Sequence, residues 1–80
     1  MPKIKNLSGK KVISILESFG FTVLKQKGSH IKMVRSLEGS REVLTIPNHK
    51  ELDKGTSRAI FVQATRFIPE NELRKFFYSD

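Results

Sequence analysis

One of the two histidines in the chain, His30, directly follows a glycine-containing segment framed by lysines, Lys-Gln-Lys-Gly-Ser at positions 25–29. An imidazole has an ordinary pKa of about 6.5, so it accepts and donates protons readily near neutral pH. Residue type alone leaves two interpretations of His30 open, a proton-transfer catalyst or an ordinary exposed strand residue, and the second is the commoner. The surroundings of the histidine must decide between them.

The positive charge of the chain is concentrated around this segment. Residues 1–37 contain eight basic residues against Glu17 alone, whereas residues 38–80 contain seven basic and seven acidic residues, so the first part carries the whole net charge of +7. This distribution indicates a polyanionic partner, of which nucleic acid is commoner than an anionic membrane. A basic domain without such a partner is the alternative.

Internal cleavage of RNA requires little from a protein, because the 2′-hydroxyl of the substrate is itself the nucleophile. A base must remove the proton of that hydroxyl and an acid must protonate the leaving 5′-oxygen, and such proton transfer typically contributes about 10²–10⁴-fold. If the polyanionic partner is RNA, His30 is the candidate for that base or acid, and lysines would hold the phosphate and stabilise its developing charge. The residues predicted to contact RNA are Lys10, Lys11, Lys25, Lys27, Gly28, Ser29 and Lys32.

A candidate for the second proton-transfer group is His49, although a histidine between Pro47 and Leu52 more often satisfies a loop hydrogen bond. No metal site and no cofactor are expected. The chain has no cysteine and its two histidines are far apart in sequence, while a two-metal nuclease needs several convergent carboxylates. We therefore expect any cleavage to be independent of metal ions.

Apolar spacing and turn residues predict three helices and three strands. The predicted elements are a helix capped by Ser8 and ended by Gly20, strands over 21–27, 30–37 and 42–46, a helix from Asp53 to about Arg66, and a short helix with Pro69 in its first turn. In the second strand Ile31 and Met33 share one side, so His30 and Lys32 share the other. If the apolar pair is buried, the basic pair faces solvent.

This order of elements indicates an α+β fold, in which helices cover one face of a three-stranded antiparallel sheet and leave the other open. In the first predicted strand, the apolar residues Phe21 and Val23 alternate with the polar Thr22, which is typical of a strand with one covered face. The same arrangement occurs in double-stranded-RNA-binding domains. We expect one domain over residues 1–80, and no apolar run approaches the roughly 18 residues that a membrane span requires. Since no signal peptide is recognisable, the expected location is the cytoplasm.

Several short motifs occur in a characteristic order along the chain. They are Ser8-Gly9-Lys10 at the start of the first helix, Gly20-Phe21 at its end, Gln26-Lys27-Gly28-Ser29-His30, Ile46-Pro47-Asn48-His49, Lys54-Gly55-Thr56, and Ile60 with Gln63-Ala64. Together these motifs cover nearly the whole chain and resemble the HicA (YcfA-like) family of toxin–antitoxin systems. The chain departs from that pattern at Ser57, where relatives usually carry leucine after Gly-Thr, and in its aromatic ending Phe76-Phe77-Tyr78.

The resemblance implies a double-stranded-RNA-binding-like fold and a toxin that cleaves messenger RNA, an mRNA interferase, whose catalytic histidine matches His30. It also implies a partner antitoxin of the HicB type, which neutralises the toxin. The expected function is therefore that of a metal-independent endoribonuclease in a type II toxin–antitoxin pair. The alternative is a non-catalytic RNA-binding module that kept the fold but not the activity.

Overall fold

The computed structural model describes residues 2–79, and in them the helices and strands follow the predicted α+β order. The elements are β1 (Lys3–Ile4), α1 (Gly9–Ser18), β2 (Thr22–Lys27), β3 (His30–Leu37), β4 (Ser40–Pro47), α2 (Lys54–Ala64), α3 (Glu70–Phe77) and β5 (Tyr78–Ser79). Strands β2, β3 and β4 form the predicted antiparallel sheet with β3 in the centre. The fold class predicted from the sequence is thereby confirmed.

The first helix begins and ends as predicted. The side-chain oxygen of Ser8 accepts a hydrogen bond of 3.0 Å from the backbone N–H of Lys11, which satisfies one of the free donors of the first turn. Gly20 follows the helix with a φ of +97°, a left-handed conformation that glycine adopts without strain. Helix α2 is capped in the same way by Asp53, and it ends at Ala64, two residues before the predicted boundary.

The turn between β3 and β4 is tighter than predicted. Residues 38–41 were expected to form the turn, but Ser40 and Arg41 pair with Leu37 and Ser36 in the ladder, and β4 extends through Pro47. Only two residues are left to connect the strands, and both have positive φ, 51° at Glu38 and 82° at Gly39. A two-residue turn of this kind matches the natural twist of a hairpin, so the strands pair up to its edge.

The hydrophobic core lies between one face of the sheet and the helices. Its buried side chains form one cluster with members in α1, α2, α3, the sheet and the connecting loops: Leu7, Val12, Ile15, Leu16, Phe21, Ile31, Met33, Leu44, Ile46, Leu52, Ile60, Phe61, Ala64, Ile68, Leu73 and Phe77. Ile31 pairs with Ile46 and Met33 with Leu44, so these four side chains lie on the covered face. The opposite face of the sheet is open, as expected.

The predicted alternation of Phe21, Thr22 and Val23 is present in the register, but it ends after Val23. Phe21 precedes the strand and is buried, whereas Val23 is 47% exposed, and every residue of β2 is exposed. The register shifts between Val23 and Lys25, where a β-bulge leaves Leu24 without a ladder partner. Val23 lies opposite the buried Met33, on the covered face, and its side chain is half exposed because β2 is the edge strand of the sheet.

The two ends of the described chain pair with each other, which the sequence did not predict. Ile4 of β1 lies opposite Tyr78 of β5, and the N–H of Lys5 donates a 2.8 Å hydrogen bond to the carbonyl oxygen of Phe77. Helix α3 is seated by aromatic contacts, with ring centroids 5.7 Å apart for Phe19 and Phe76. Among residues 2–79, no helix is long and apolar enough to cross a membrane.

Candidate active site

Three segments that are far apart in sequence meet at one end of the sheet: the β2–β3 turn, the end of β4 and the start of α1. The N–H of Asn48 donates a 2.6 Å hydrogen bond to the carbonyl oxygen of Ser29, and the N–H of Gly9 donates one of 2.9 Å to the carbonyl oxygen of His49. In the ladder, His30 is paired with Pro47. These contacts fix the backbone of the histidine-bearing turn against the segment 47–49.

The side chain of His30 points away from the core, on the open face of the sheet. The next residue, Ile31, is buried, and so is Met33, whereas His30 is exposed and Lys32 is half-buried. Alternate residues of a strand lie on the same face, so His30 and Lys32 lie together on the open face. This part of the sequence prediction is confirmed.

The neighbouring strand adds two further lysines to this face. In the register of β2 and β3, Lys27 is opposite His30 and Lys25 is opposite Lys32. Directly opposed residues of antiparallel strands point to the same side, and like charges in that position repel each other. His30 therefore lies among three ammonium groups, and an anion bound between Lys25 and Lys32 would relieve their repulsion.

The turn that precedes His30 is open to solvent. Gly28 has a φ of +60°, and within residues 2–79 no atom beyond the glycine and its two chain neighbours lies within 4 Å of the position that a Cβ atom would take there. The side-chain amide of Gln26 donates a 2.9 Å hydrogen bond to the carbonyl oxygen of Gly28. Glycine is therefore used for its backbone conformation, and the space in front of the turn is free for a ligand to approach.

A second basic feature lies next to the turn, where α1 begins. Side chains from the start of α1 and from the segment after β4 surround a partly open pocket of about 340 Å³, which is lined by Ser8, Lys10, Asn48, His49 and Lys50. The structure thus brings the candidate residues Lys10 and His49 together. Lys11 is exposed on α1 but does not line this pocket.

Three residues of this region were missed by the sequence analysis as site residues. Asn48 links the segment after β4 to the turn through its N–H, and Lys50 adds a cation to the pocket. Gly9 is buried, and a Cβ atom on it would overlap the carbonyl group of Pro47. The need for glycine at position 9 follows from the close packing of α1 on the end of β4. Neighbouring residues in the sequence do not predict this packing.

The site offers proton transfer and phosphate binding. An exposed imidazole reaches a substrate from solvent, and the adjacent ammonium groups stabilise negative charge on a phosphate. The described residues include no group of three or more His, Asp or Glu side chains placed to share a metal ion. The chemistry that these side chains themselves supply is acid–base catalysis on an anionic substrate.

The fold and this site define a small basic α+β protein with a histidine on an open, lysine-rich sheet face. A family model described as "HicA toxin of bacterial toxin-antitoxin" matches residues 9–65, more than half of the chain. The chain therefore belongs to the HicA toxin family, and this membership implies an antitoxin as partner. No curated protein and no solved structure gave a significant match.

Proposed function

We propose that this toxin is an mRNA interferase, a metal-independent endoribonuclease in which His30 transfers a proton. The observation that carries the proposal is the position of His30, exposed on the open sheet face beside Lys25, Lys27 and Lys32. This arrangement joins a group that exchanges protons near neutral pH to groups that hold a phosphodiester. Since the substrate would be messenger RNA, the toxin would act in the cytoplasm.

In the proposed reaction the 2′-oxygen of a ribose forms a bond to the adjacent phosphorus, and the bond from phosphorus to the 5′-oxygen breaks. His30 either accepts the proton of the 2′-hydroxyl or donates one to the leaving 5′-oxygen. The neighbouring lysines stabilise the additional negative charge on the phosphate. The products are a 2′,3′-cyclic phosphate and a 5′-hydroxyl, and neither product requires an added water or a metal ion.

The second proton transfer is assigned to His49 or to water. His49 lies in the pocket beside the turn, and its own carbonyl is held by the N–H of Gly9. A strand of RNA that crosses the turn at Gly28 and Ser29 would enter this pocket, where Lys10 and Lys50 offer cations to the next phosphate. Lys11 would contact RNA beyond the pocket.

The proposal also includes inhibition by a HicB-type antitoxin that covers the basic sheet face. The net charge of +7 favours an acidic surface on that partner. Reversing the charge of Lys25 and Lys32 together would then weaken the complex and accelerate its dissociation. The matched control is the exposed pair Lys54 and Arg58 on α2, whose reversal would leave dissociation unchanged if the sheet face is the interface.

The experiment that tests catalysis compares the parent protein with His30→Ala and His49→Ala. Each is incubated in EDTA with a long RNA and with DNA of the same sequence, and the fragments and their ends are analysed. We expect cleavage of RNA alone, with 2′,3′-cyclic phosphate ends, and loss of about 10²–10⁴-fold in rate for His30→Ala. Circular dichroism establishes that each variant is folded.

Three outcomes would contradict the proposal. Cleavage at the parent rate by folded His30→Ala would remove the histidine from the mechanism, and ends that carry a 5′-phosphate would indicate attack by water instead of the 2′-hydroxyl. Binding of RNA without cleavage by any of the proteins would identify the non-catalytic RNA-binding module. For His49→Ala, a large loss of rate supports the second proton-transfer role, and an unchanged rate assigns that step to water.

A further inference from the structure

A second pocket lies on α3, in the part of the chain beyond the family match. It has a volume of about 440 Å³ and is lined by Asn71, Arg74, Lys75 and Tyr78. These positions recur at three- and four-residue steps, so they form one face of α3 that continues into β5. Each of these four side chains carries a hydrogen-bonding group, and two of them are cationic; among residues 2–79 no carboxylate lines the pocket.

The guanidinium group of Arg74 lies over an aromatic ring and is only weakly neutralised. Its central carbon lies 4.8 Å from the centroid of the Tyr78 ring, and that ring packs edge-on against Phe61 at 5.2 Å. Its ion pair with Glu70 is long, at 4.0 Å, and the two side chains are 43% and 66% exposed, so water screens the pair and it contributes little. Within residues 2–79, the 4.0 Å contact with Glu70 is the one polar contact of this guanidinium, which has five N–H donors.

A third cation is fixed beside the pocket by the pairing of the chain ends. The ammonium group of Lys5 donates a 3.0 Å hydrogen bond to the carbonyl oxygen of Lys75. Lys5 follows β1, and its own N–H is bound to the carbonyl of Phe77. Lys5 thus adds a third positive side chain beside α3, while the ammonium group of Lys75 lies 5.6 Å from the centroid of the Phe76 ring.

We propose that this α3 pocket is a second RNA-binding site, which holds a single-stranded segment away from the cleavage site. Lys5, Arg74 and Lys75 would contact phosphates, and a base would stack on the exposed plane of the Arg74 guanidinium. That RNA is the ligand rests on the proposed function. An acidic peptide would also meet the charges, but it carries no base to stack on the guanidinium that lies over the Tyr78 ring.

The test measures binding of a fluorescent single-stranded RNA in EDTA, with His30→Ala introduced throughout so that no cleavage occurs. The added variants are Arg74→Ala with Lys75→Ala, Arg74→Lys, and the matched control Lys54→Ala with Arg58→Ala on α2. Dissociation constants are recorded from 0.1 to 1 M salt, and melting curves establish that every variant is folded. A parallel titration with the antitoxin uses the same proteins.

We expect the Arg74→Ala, Lys75→Ala variant to lose two phosphate contacts. At about 0.7 per contact, its log–log salt slope would then be shallower by about 1.4, and its loss of affinity relative to the parent would be about 25-fold greater at 0.1 M than at 1 M salt. Arg74→Lys keeps the charge and loses the stacking plane. It should bind about tenfold more weakly with an unchanged salt slope. The control variant also loses two positive charges, so its affinity is compared with that of the parent at high salt, where the effect of overall charge is screened. There the two affinities should be equal.

Equal dissociation constants and salt slopes for the parent and the Arg74→Ala, Lys75→Ala variant would overturn the proposal. So would a loss of antitoxin affinity with RNA affinity retained, because the occupant would then be protein. This result is independent of catalysis: RNA binding that depends on α3 supports the second site even if His30 proves not to be catalytic. If cleavage requires His30 but the Arg74→Ala, Lys75→Ala variant binds RNA as the parent does, only the proposal of the second site is wrong.

Discussion

Gly9 lies directly against the carbonyl group of Pro47, and no room is left for a Cβ atom on the glycine. An added Cβ would also be 2.8 Å from the Cα of Asn48 and 3.0 Å from the backbone nitrogen of His49. Pro47 is the residue paired with His30 in the β3–β4 ladder. The first residue of α1 therefore sets the position of the strand end that supports the candidate catalytic turn.

Replacing Gly9 by alanine should destabilise the protein and reduce RNA cleavage together. The added methyl group would meet backbone atoms, which cannot rotate away, so the free energy of unfolding should fall by about 1–3 kcal/mol. The displaced segment 47–49 would shift the hydrogen bond to Ser29. Urea denaturation and the cleavage rate measure the two effects.

Gly55→Ala is the matched control, because this glycine also lies in the first turn of a helix, α2. A Cβ atom there would be 3.4 Å from a carboxylate oxygen of Asp53, an ordinary contact. Alanine favours the helix over glycine by up to about 1 kcal/mol, so stability should be unchanged or increased. If both alanine variants had the same stability, the close packing of Gly9 would not be a constraint in solution.

Arg35 should be the polar residue on which stability depends most. It donates to Glu42 at 2.6 Å and to the carbonyl oxygens of Phe19 and Phe67 at 2.8 and 2.7 Å, and it stacks on Phe21 with its central carbon 4.9 Å from the ring centroid. The ion pair is only 16% and 12% exposed. Arg35→Met would leave a poorly solvated carboxylate without its partner, so unfolding free energy should fall by about 3 kcal/mol.

The exposed Arg41 on β4 provides the comparison for Arg35. Arg41→Met removes the same charge from the surface and should change stability by at most about 0.5 kcal/mol. Adding Glu42→Gln to Arg35→Met should recover part of the loss, because the unpaired charge is then gone. Equal stability of the two single variants would show that the Arg35 contacts do not hold the fold.

Ser57→Ala should stabilise the protein. Ser57 is fully buried, and within residues 2–79 its hydroxyl has no hydrogen-bond partner. An unsatisfied buried polar group costs about 1–3 kcal/mol, so its removal should raise the unfolding free energy by about 1 kcal/mol. Ser18→Ala is the control, because that hydroxyl donates to the carbonyl of Ile15 and its loss should not stabilise. A melting temperature for Ser57→Ala at or below that of the parent would indicate that the hydroxyl is bonded in solution.

Acid should weaken α2 through its cap. The backbone N–H of Thr56, then its hydroxyl, holds the pKa of the Asp53 carboxylate below the ordinary value of 3.8. Because the pKa is lower in the folded state, the unfolded chain takes up the proton first as the pH falls. The contribution of Asp53 to the free energy of unfolding is therefore complete above pH 3.8 and is lost as the pH falls through the folded-state pKa. Asp53→Asn keeps the cap without a charge and should flatten this part of the curve of stability against pH. An identical acid limb for both proteins would exclude the cap as its cause.

Local features of the sequence were sufficient for most of the elements and for part of the site. Ser8 and Asp53 cap their helices through backbone groups three residues away, and the alternation in β3 separates His30 from Ile31. Each of these depends on neighbours in the chain. The double-stranded-RNA-binding likeness and the role of His30 stay predictions, because no solved structure matched and no measurement of cleavage bears on them.

Where the sequence analysis was wrong or silent, a contact between distant segments decides the structure. The turn at Glu38 and Gly39 is shorter than expected because ladder pairing extends to its edge, and Val23 is half exposed because β2 is the edge strand of the sheet. The pairing of β1 with β5 joins residues at opposite ends of the chain. No local sequence pattern predicts that β1 and β5 pair.

The sequence alone thus determined the basic character of the chain, its α+β order, its helix caps and the side of β3 on which His30 lies, since these follow from composition, periodicity and hydrogen bonds within one turn. The tertiary structure decided which groups meet. Three pairs of residues are brought together only when the core packs: Gly9 with Pro47, Arg35 with the carbonyl of Phe67, and Lys5 with the carbonyl of Lys75. The Gly9 contact supports the candidate catalytic turn, and the Lys5 contact lies beside the α3 pocket.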